Sequence, residues 1–332
     1  MRVLLKLLLP LFSIGLAALL LEAGLWTFGL LRPFPRYAVG EGNPRESRNF
    51  AFDPDTGWRM RPNVEFRWGK ETYRANSQGF RAEDEFDPDD PRFKIVFVGD
   101  SFTWGTGAEY PETFPSLIDE RLPSAAVFNL AEPGFGVDQM YLSAKTQALE
   151  LNPQLLVVAI CDADLKRSQT AFREAPERRE KPAFKLVDGK LEPKTVADRF
   201  GPVMTMLEHH SRVWMGLRYA MRAVGYAYPV GEWWTLNEAL LDEIQALGRE
   251  HDIPVLFVYV PTVAWRPFPT MRQYMERTGA SYISLRDGNV ADPPALYRTK
   301  DGHFNTEGHL YAADKLLRWI EANFPEPSLR SP

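Results

Sequence analysis

Four short, almost uninterrupted apolar runs constrain this chain more than any other feature: FKIVFVG from Phe93, AVFNLA from Ala126, LLVVAIC from Leu155 and PVLFVYV from Pro254. Runs of this length, rich in β-branched and aromatic residues, read as strands, and near-continuous apolarity means that both of their faces are covered. Between them, amphipathic stretches predict helices over Glu112–Leu122, Val137–Glu150 and Leu236–Glu250, with a last one over Thr306–Asn323. Strands alternating with helices imply βαβ units. The expected fold class is therefore α/β, a doubly wound parallel sheet completed by a fifth strand near SYISL (Ser281 to Leu285). Ligands of such a sheet bind beyond the carboxyl ends of its strands.

Three stretches lie outside that rhythm. After Arg2 and Lys6 the chain runs LLLPLFSIGLAALLLEAGLWTFGLL, broken only by Glu22. As a helix this run spans roughly 37 Å, enough to cross a bilayer with some tilt. Residues 1–32 are therefore expected to be an N-terminal membrane anchor, a single-pass transmembrane helix. A cleaved signal peptide is the rival, but no A-x-A-like site closes a short apolar region here. Arg32, Arg36, Arg45 and Arg48 follow the run and outnumber Arg2 and Lys6. Positive-inside counting thus does not favour the extracytoplasmic placement we expect for the main domain, and the sequence leaves topology open. An ionised Glu22 at mid-membrane would cost about 3 kcal/mol, so it invites a polar partner unless it is protonated or lies near the interface.

Residues 33–92, rich in Pro, Asn, Asp and Arg, read as an entry segment of short strands and turns. The main domain then runs over 93–325. Residues 166–234 interrupt it as a cap-like, partly helical insertion carrying Trp214, Tyr219, Tyr226, Tyr228, Trp233 and Trp234. Those aromatics are expected mainly to pack the cap rather than to line a groove.

The 332 residues are 45% hydrophobic and 25% charged, an ordinary globular composition. A net charge of −5 without long runs of one sign lacks the basic footprint of nucleic-acid binding, so no nucleic-acid partner is expected. The single cysteine, Cys161, excludes an internal disulfide and a multi-cysteine zinc site.

Chemistry concentrates in two places. In KIVFVGDSFTWGTG, Ser101 follows the first strand directly, where a parallel sheet opens its crevice. Gly-Asp-Ser alone is also ordinary turn chemistry. The second place is DGHFNTEGH, Asp301 to His309, just before the last helix. A serine hydroxyl needs an adjacent base, and that base needs a group on its other ring nitrogen; His303 and Asp301 offer both. His209, His210, His251 and His309 suit solvated or packed roles better. Ser101 lacks the second glycine of G-x-S-x-G. No Walker A loop, G-x-G-x-x-G fingerprint or H-E-x-x-H helix occurs, so no metal or organic cofactor is implied.

GDSFTWG and D-x-H-x-N-x-x-G-H, with NLAEPGFGVDQ (Asn129 to Gln139) and the upstream N-x-x-G-F-R, resemble the GDSL/SGNH hydrolase superfamily, in particular its membrane-anchored bacterial esterases. The likeness covers about Asp53 to Phe324 without the insertion. It implies a flavodoxin-like sheet, Ser101 as nucleophile, Asp301 and His303 completing a catalytic triad, and the Ser101 and Gly134 amides binding the oxyanion. The third block departs from the pattern: where the family places Asn-Asp, this chain reads Asp162-Ala163-Asp164, so Ala163 stands at the oxyanion asparagine. Losing one such donor typically costs about 3 to 4 kcal/mol of transition-state stabilisation. If the two amides stood alone, Ala163→Asn would be expected to raise kcat by on the order of tenfold or more. Otherwise the site borrows a donor elsewhere or no longer catalyses. Asp301 also precedes the histidine by two residues rather than the commoner three, a spacing familiar in the family.

The resulting expectation is acyl-ester hydrolysis through an acyl-serine, on a small-molecule or glycan ester of the cell envelope or on a lipid. Acyl transfer to a glycan hydroxyl, or a non-catalytic module in envelope polysaccharide assembly, are the alternatives.

Overall fold

The computed structural model describes residues 2–30, 49–169, 172–173, 179–194, 206–207, 210–214, 216–217, 230–260, 262, 269–285, 296–298 and 301–324. The chain divides into two compact units, Met1–Gly40 with Lys194–Val230, and Glu41–Pro193 with Gly231–Pro332.

The larger unit opens with two antiparallel hairpins, β1 (Phe50–Asp53) with β2 (Gly57–Met60), and β3 (Glu65–Trp68) with β4 (Glu71–Arg74). Its centre is a parallel sheet of five strands: β5 (Phe93–Val98), β6 (Ala125–Asn129), β7 (Leu155–Ile160), β12 (Val255–Tyr259) and β13 (Ser281–Ser284). They lie in the order β13-β12-β7-β5-β6. All five expected strands are present, and the order is the doubly wound one: the chain steps from β5 to β6 on one side, then crosses back to β7 on the other. That reversal puts a crevice at the carboxyl end of β5.

Alternation along β5 divides the core between the two faces of the sheet. Val96 and Val98 pack with Met140, Leu240, Ile244 and Met271 on one side. Those residues come from α4 (Val137–Ser143), α6 (Val230–Glu250) and α7 (Pro269–Thr278). Ile95 and Phe97 pack with Phe114, Ile118 and Leu316 on the other, from α3 (Phe114–Arg121) and α8 (Thr306–Asn323). Two short helices, α2 (Ser101–Trp104) and α5 (Asp162–Arg167), cap the carboxyl ends of β5 and β7.

One expectation needs correcting. The helix over Val137–Glu150 is α-helical only to Ser143, then widens to a π turn over Ala144–Ala148 and ends in a 3-10 turn over Leu149–Leu151. Ser143 and Thr146 turn their hydroxyls onto Gln147 and the Leu142 carbonyl, local bonds that compete with a regular ladder. The insertion, helical at residues 166–167 and at several described positions from 206 onward, also carries two hairpins, β8 (Phe172–Arg173) with β9 (Arg179–Glu180), and β10 (Phe184–Val187) with β11 (Lys190–Pro193). Asp188 and Gly189 form the second turn with φ of 50° and 77°, the Asp-Gly pair that a two-residue hairpin selects. Of the insertion's aromatics, Trp234 packs edge-on against Tyr274 beside the core; Tyr219, Tyr226 and Tyr228 lie outside the described residues.

In the smaller unit, α1 (Arg2–Thr27) is one continuous 26-residue helix with Pro10 inside it. Among the described residues no helix is long and apolar enough to cross a membrane. Phe12, Ile14, Leu19 and Leu20 stand exposed along it. Glu22, the one acid in the apolar run, has the polar partner its cost invites. It accepts from Ser211 Oγ (2.8 Å) and from the Arg212 and Val213 amides at 2.6 and 3.0 Å. Arg212 donates to the Leu25 and Leu30 carbonyls and lies over the Trp26 ring. Residues 211–213 are thereby clasped to α1, and Glu22→Leu should release them. Limited trypsinolysis checks this: cleavage after Arg212 should accelerate in the variant, and an unchanged rate would mean that the clasp does not hold the segment.

Candidate active site

The site is built where β5 ends. A Cβ on Gly99 would lie 2.3 Å from Thr103 Oγ1 and 3.2 Å from the Ala159 carbonyl oxygen, so only glycine lets the chain turn between β5 and β7 into α2. Asp100 is the N-cap of α2, accepting from the Phe102 amide at 3.0 Å. Ser101 follows as the first residue of that helix, and it is buried.

His303 arrives from the turn before α8. Asn305 caps that helix by accepting from the Gly308 amide at 2.9 Å, and the turn is tied down by the Arg298 amide on the His303 carbonyl at 2.7 Å. The Phe102 ring lies 5.0 Å from the imidazole. His303 Nε2 is 2.9 Å from Ser101 Oγ, so residues 202 positions apart meet at hydrogen-bond distance. Asp301 Oδ1 lies 3.4 Å from His303 Nδ1, near enough for electrostatic support but outside a hydrogen bond. Nδ1 has no hydrogen-bond partner among the described residues. Asp301 instead accepts from the His303 backbone amide at 3.2 Å.

The loop carrying Gly134 hangs from the end of β6. The Leu130 amide donates to the Phe97 carbonyl at 2.8 Å and the Glu132 amide to the Gly99 carbonyl at 3.2 Å, which hold the loop beside α2. The first hairpin buttresses it: Trp58 Nε1 donates to the Pro133 carbonyl at 3.2 Å, and the Met60 amide to Glu132 at 3.1 Å. The Thr56 carbonyl accepts from Gln139 Nε2 at 2.6 Å, while Gln139 Oε1 accepts from the Gly136 amide at 3.1 Å. The entry segment thus supports the site. Neither the Ser101 nor the Gly134 amide has a hydrogen-bond acceptor among the described residues.

The third block forms the start of α5. Asp162 faces away, accepting from Tyr259 Oη at 3.1 Å and Thr262 Oγ1 at 3.3 Å, while Asp164 accepts from the Cys161 amide at 2.7 Å. Ala163 lies between them, partly buried and with no side-chain donor.

A residue that the motifs do not single out completes the arrangement. Arg167 Nη1 donates to Asp100 Oδ2 at 3.0 Å, to the Phe135 carbonyl at 3.2 Å and to Asp164. Burial works against the Asp100 charge, yet Arg167 and the Phe102 amide hold its carboxyl below the usual range. Burial together with the Asp100 charge pushes Asp164 well up. Burial opposes the Arg167 charge too, but Asp164 and Asp100 more than offset it. Cys161 Sγ also reaches Asp100, at 3.5 Å, and burial beside Asp100 and Asp164 pushes its thiol well up. Oxygen and sulfur atoms of Asp100, Cys161 and Asp164 converge within 4.8 Å of one another; the positive charge at that point is the Arg167 guanidinium.

Of the other histidines, His251 is exposed, and His309 is buried with Nδ1 accepting from the Phe114 amide at 3.3 Å. Burial pushes His309 down to about 3, so it is neutral and packed. His210 is exposed, and His209 lies outside the described residues.

No family model matches the chain, and no curated protein does. Solved structures do. The psychrotrophic esterase EstA from Pseudoalteromonas sp. matches at 11% identity over 69% of this chain and 97% of its own, with a TM-score of 0.42. A GDSL-like lipase from Bacteroides thetaiotaomicron matches at 15% identity over 70% and 89%, with a TM-score of 0.40. The acetyl xylan esterase AlAXEase matches at 15% over 68% and 99%, with a TM-score of 0.41. These three solved structures, similar to this chain at low identity, are a GDSL-like lipase and two esterases.

Proposed function

We propose that the larger unit is a serine-dependent ester hydrolase. The observation that carries this reading is the 2.9 Å approach of His303 Nε2 to Ser101 Oγ at the mouth of the sheet's crevice. The chemistry follows from the atoms present. His303 takes the Ser101 proton as Oγ bonds the ester carbonyl carbon, and the carbonyl oxygen, now an anion, faces the amides of Ser101 and Gly134. His303 then protonates the leaving alcohol, and a water activated by the same ring releases the acid from Ser101. Asp301 steadies the imidazolium electrostatically.

The apolar N-terminal run is proposed to hold the chain at a membrane with the hydrolase unit extracytoplasmic, which suits acylated glycans or lipids of the envelope as substrates. Ala163 keeps a second reading in view, a module that has lost catalysis. A fluorophosphonate probe separates the two, because it reacts only with an activated serine. The wild-type chain should label covalently and Ser101→Ala should not; a folded wild type that fails to label would replace the enzyme with the non-catalytic module.

A further inference from the structure

We propose that the Arg167 guanidinium is the third oxyanion donor of this site, standing in for the side chain that Ala163 lacks; this rests on the hydrolase reading above. Three observations converge on it. First, Ala163 and Arg167 are four residues apart on α5, hence on one face of the helix. Helical side chains lean toward the N-terminus, so the long Arg167 arm lies back over the turn that carries Ala163. The methyl at 163 leaves the room that this arm uses.

Second, Arg167 Nη1 and Ser101 Oγ contact the same oxygen, Asp100 Oδ2, at 3.0 and 3.2 Å, which bounds their separation at about 6.2 Å. Third, Nη1 also donates at 3.2 Å to the carbonyl of Phe135, the residue after Gly134, and a Cβ on Gly136 would come within 3.0 Å of Arg167 Cβ. The guanidinium therefore stands among the nucleophile, the loop with the Gly134 amide and the emptied asparagine position. Its side chain is 32% exposed, less sealed than those of Asp100 at 2% and Asp164 at 0%. A planar guanidinium suits an oxyanion by both charge and donor geometry. The bland alternative is a clamp that only ties Asp100 to Asp164.

Kinetics on p-nitrophenyl acetate with the full-length protein separate the two roles. Arg167→Met should lower kcat about a hundredfold while KM stays within about threefold, the signature of an interaction made in the transition state. Ala163→Asn should raise kcat about tenfold more in the Arg167→Met background than in the wild-type background, because the two donors serve one oxygen. Ala163→Leu, close to Asn in size but without a donor, controls for the room that the Arg167 arm vacates: a clamp predicts that Leu and Asn at 163 behave alike in both backgrounds, and that result overturns the proposal. If Arg167→Met does not fold, because Asp164 loses its partner, Arg167→Met with Asp164→Asn removes both charges and should show the same rescue. A wild type inert toward the ester defeats the hydrolase reading and the inference with it. A Ser101-dependent wild type whose folded Arg167 variants keep full kcat defeats the inference alone.

Discussion

His303→Ala should lower kcat/KM on p-nitrophenyl acetate by about ten-thousandfold, the largest single-residue loss after that of Ser101 itself. His303 is the base at hydrogen-bond distance from Ser101 Oγ, and His309 cannot replace it. His309 is buried, its Nδ1 is engaged by the Phe114 amide, and burial holds it neutral. Asp301→Ala should cost far less, about tenfold, because at 3.4 Å from Nδ1 the carboxylate supports the imidazolium through space without fixing its tautomer. Steady-state kinetics on folded variants check both numbers. A His303→Ala enzyme within tenfold of wild type would mean that the 2.9 Å contact is not the proton path. An Asp301→Ala loss equal to that of His303→Ala would mean that the carboxylate closes onto Nδ1 when substrate binds.

The sheet and the nucleophile's place in it were legible in the sequence because buried parallel strands leave no room for polar residues. FKIVFV reads as a strand whatever surrounds it, and Gly99-Asp100-Ser101 then has to lie at its carboxyl end. The His303 turn was legible for a related reason: Asn305 and Thr306 mark a helix start, which fixes where the preceding turn must lie. Arg167 was not legible. In Asp-Ala-Asp-Leu-Lys-Arg it looks like a basic residue at the end of a short helix, favourable there for the helix dipole alone. Only the close approach of α5 to Asp100 and Phe135, contacts 67 and 32 residues away in sequence, turns it toward the site. The β10–β11 hairpin carried a local signal, Asp188-Gly189 between Phe184, Leu186 and Leu191, that the aromatic richness of the surrounding insertion masked. The first hairpin's support of the Gly134 loop runs through backbone carbonyls of Thr56 and Pro133, which no side-chain pattern advertises.

Arg81→Met should destabilise the larger unit by about 4 kcal/mol, the largest stability loss expected of any single polar side chain here. Arg81 is buried and holds three backbone carbonyls at once: Trp104 at 2.8 Å, Gly105 at 2.6 Å and Ala108 at 2.6 Å. Its guanidinium also lies 4.4 Å from the Tyr73 ring and 4.9 Å from the Trp104 ring, which themselves stack at 4.6 Å. Burial pushes it down to about 10, so it remains charged at neutral pH, stabilised by carbonyl dipoles and ring faces. Met fills the volume but leaves the Trp104 and Ala108 carbonyls unpaired in a dry interior, the costly half of a broken hydrogen bond, while the Gly105 carbonyl keeps only the Ala108 amide at 3.2 Å. Arg81→Lys should recover only part of the loss, because a single ammonium does not reproduce the planar fork that reaches all three carbonyls. The damage should also reach the site. The Gly105 and Thr106 amides return to the Ser101 carbonyl at 3.1 and 2.9 Å, so a loosened 104–108 loop loosens the helix that carries the nucleophile. Urea titration of the three proteins measures the loss. An Arg81→Met variant within 1 kcal/mol of wild type, a margin set by ordinary exposed substitutions, would mean that water replaces the guanidinium at those carbonyls.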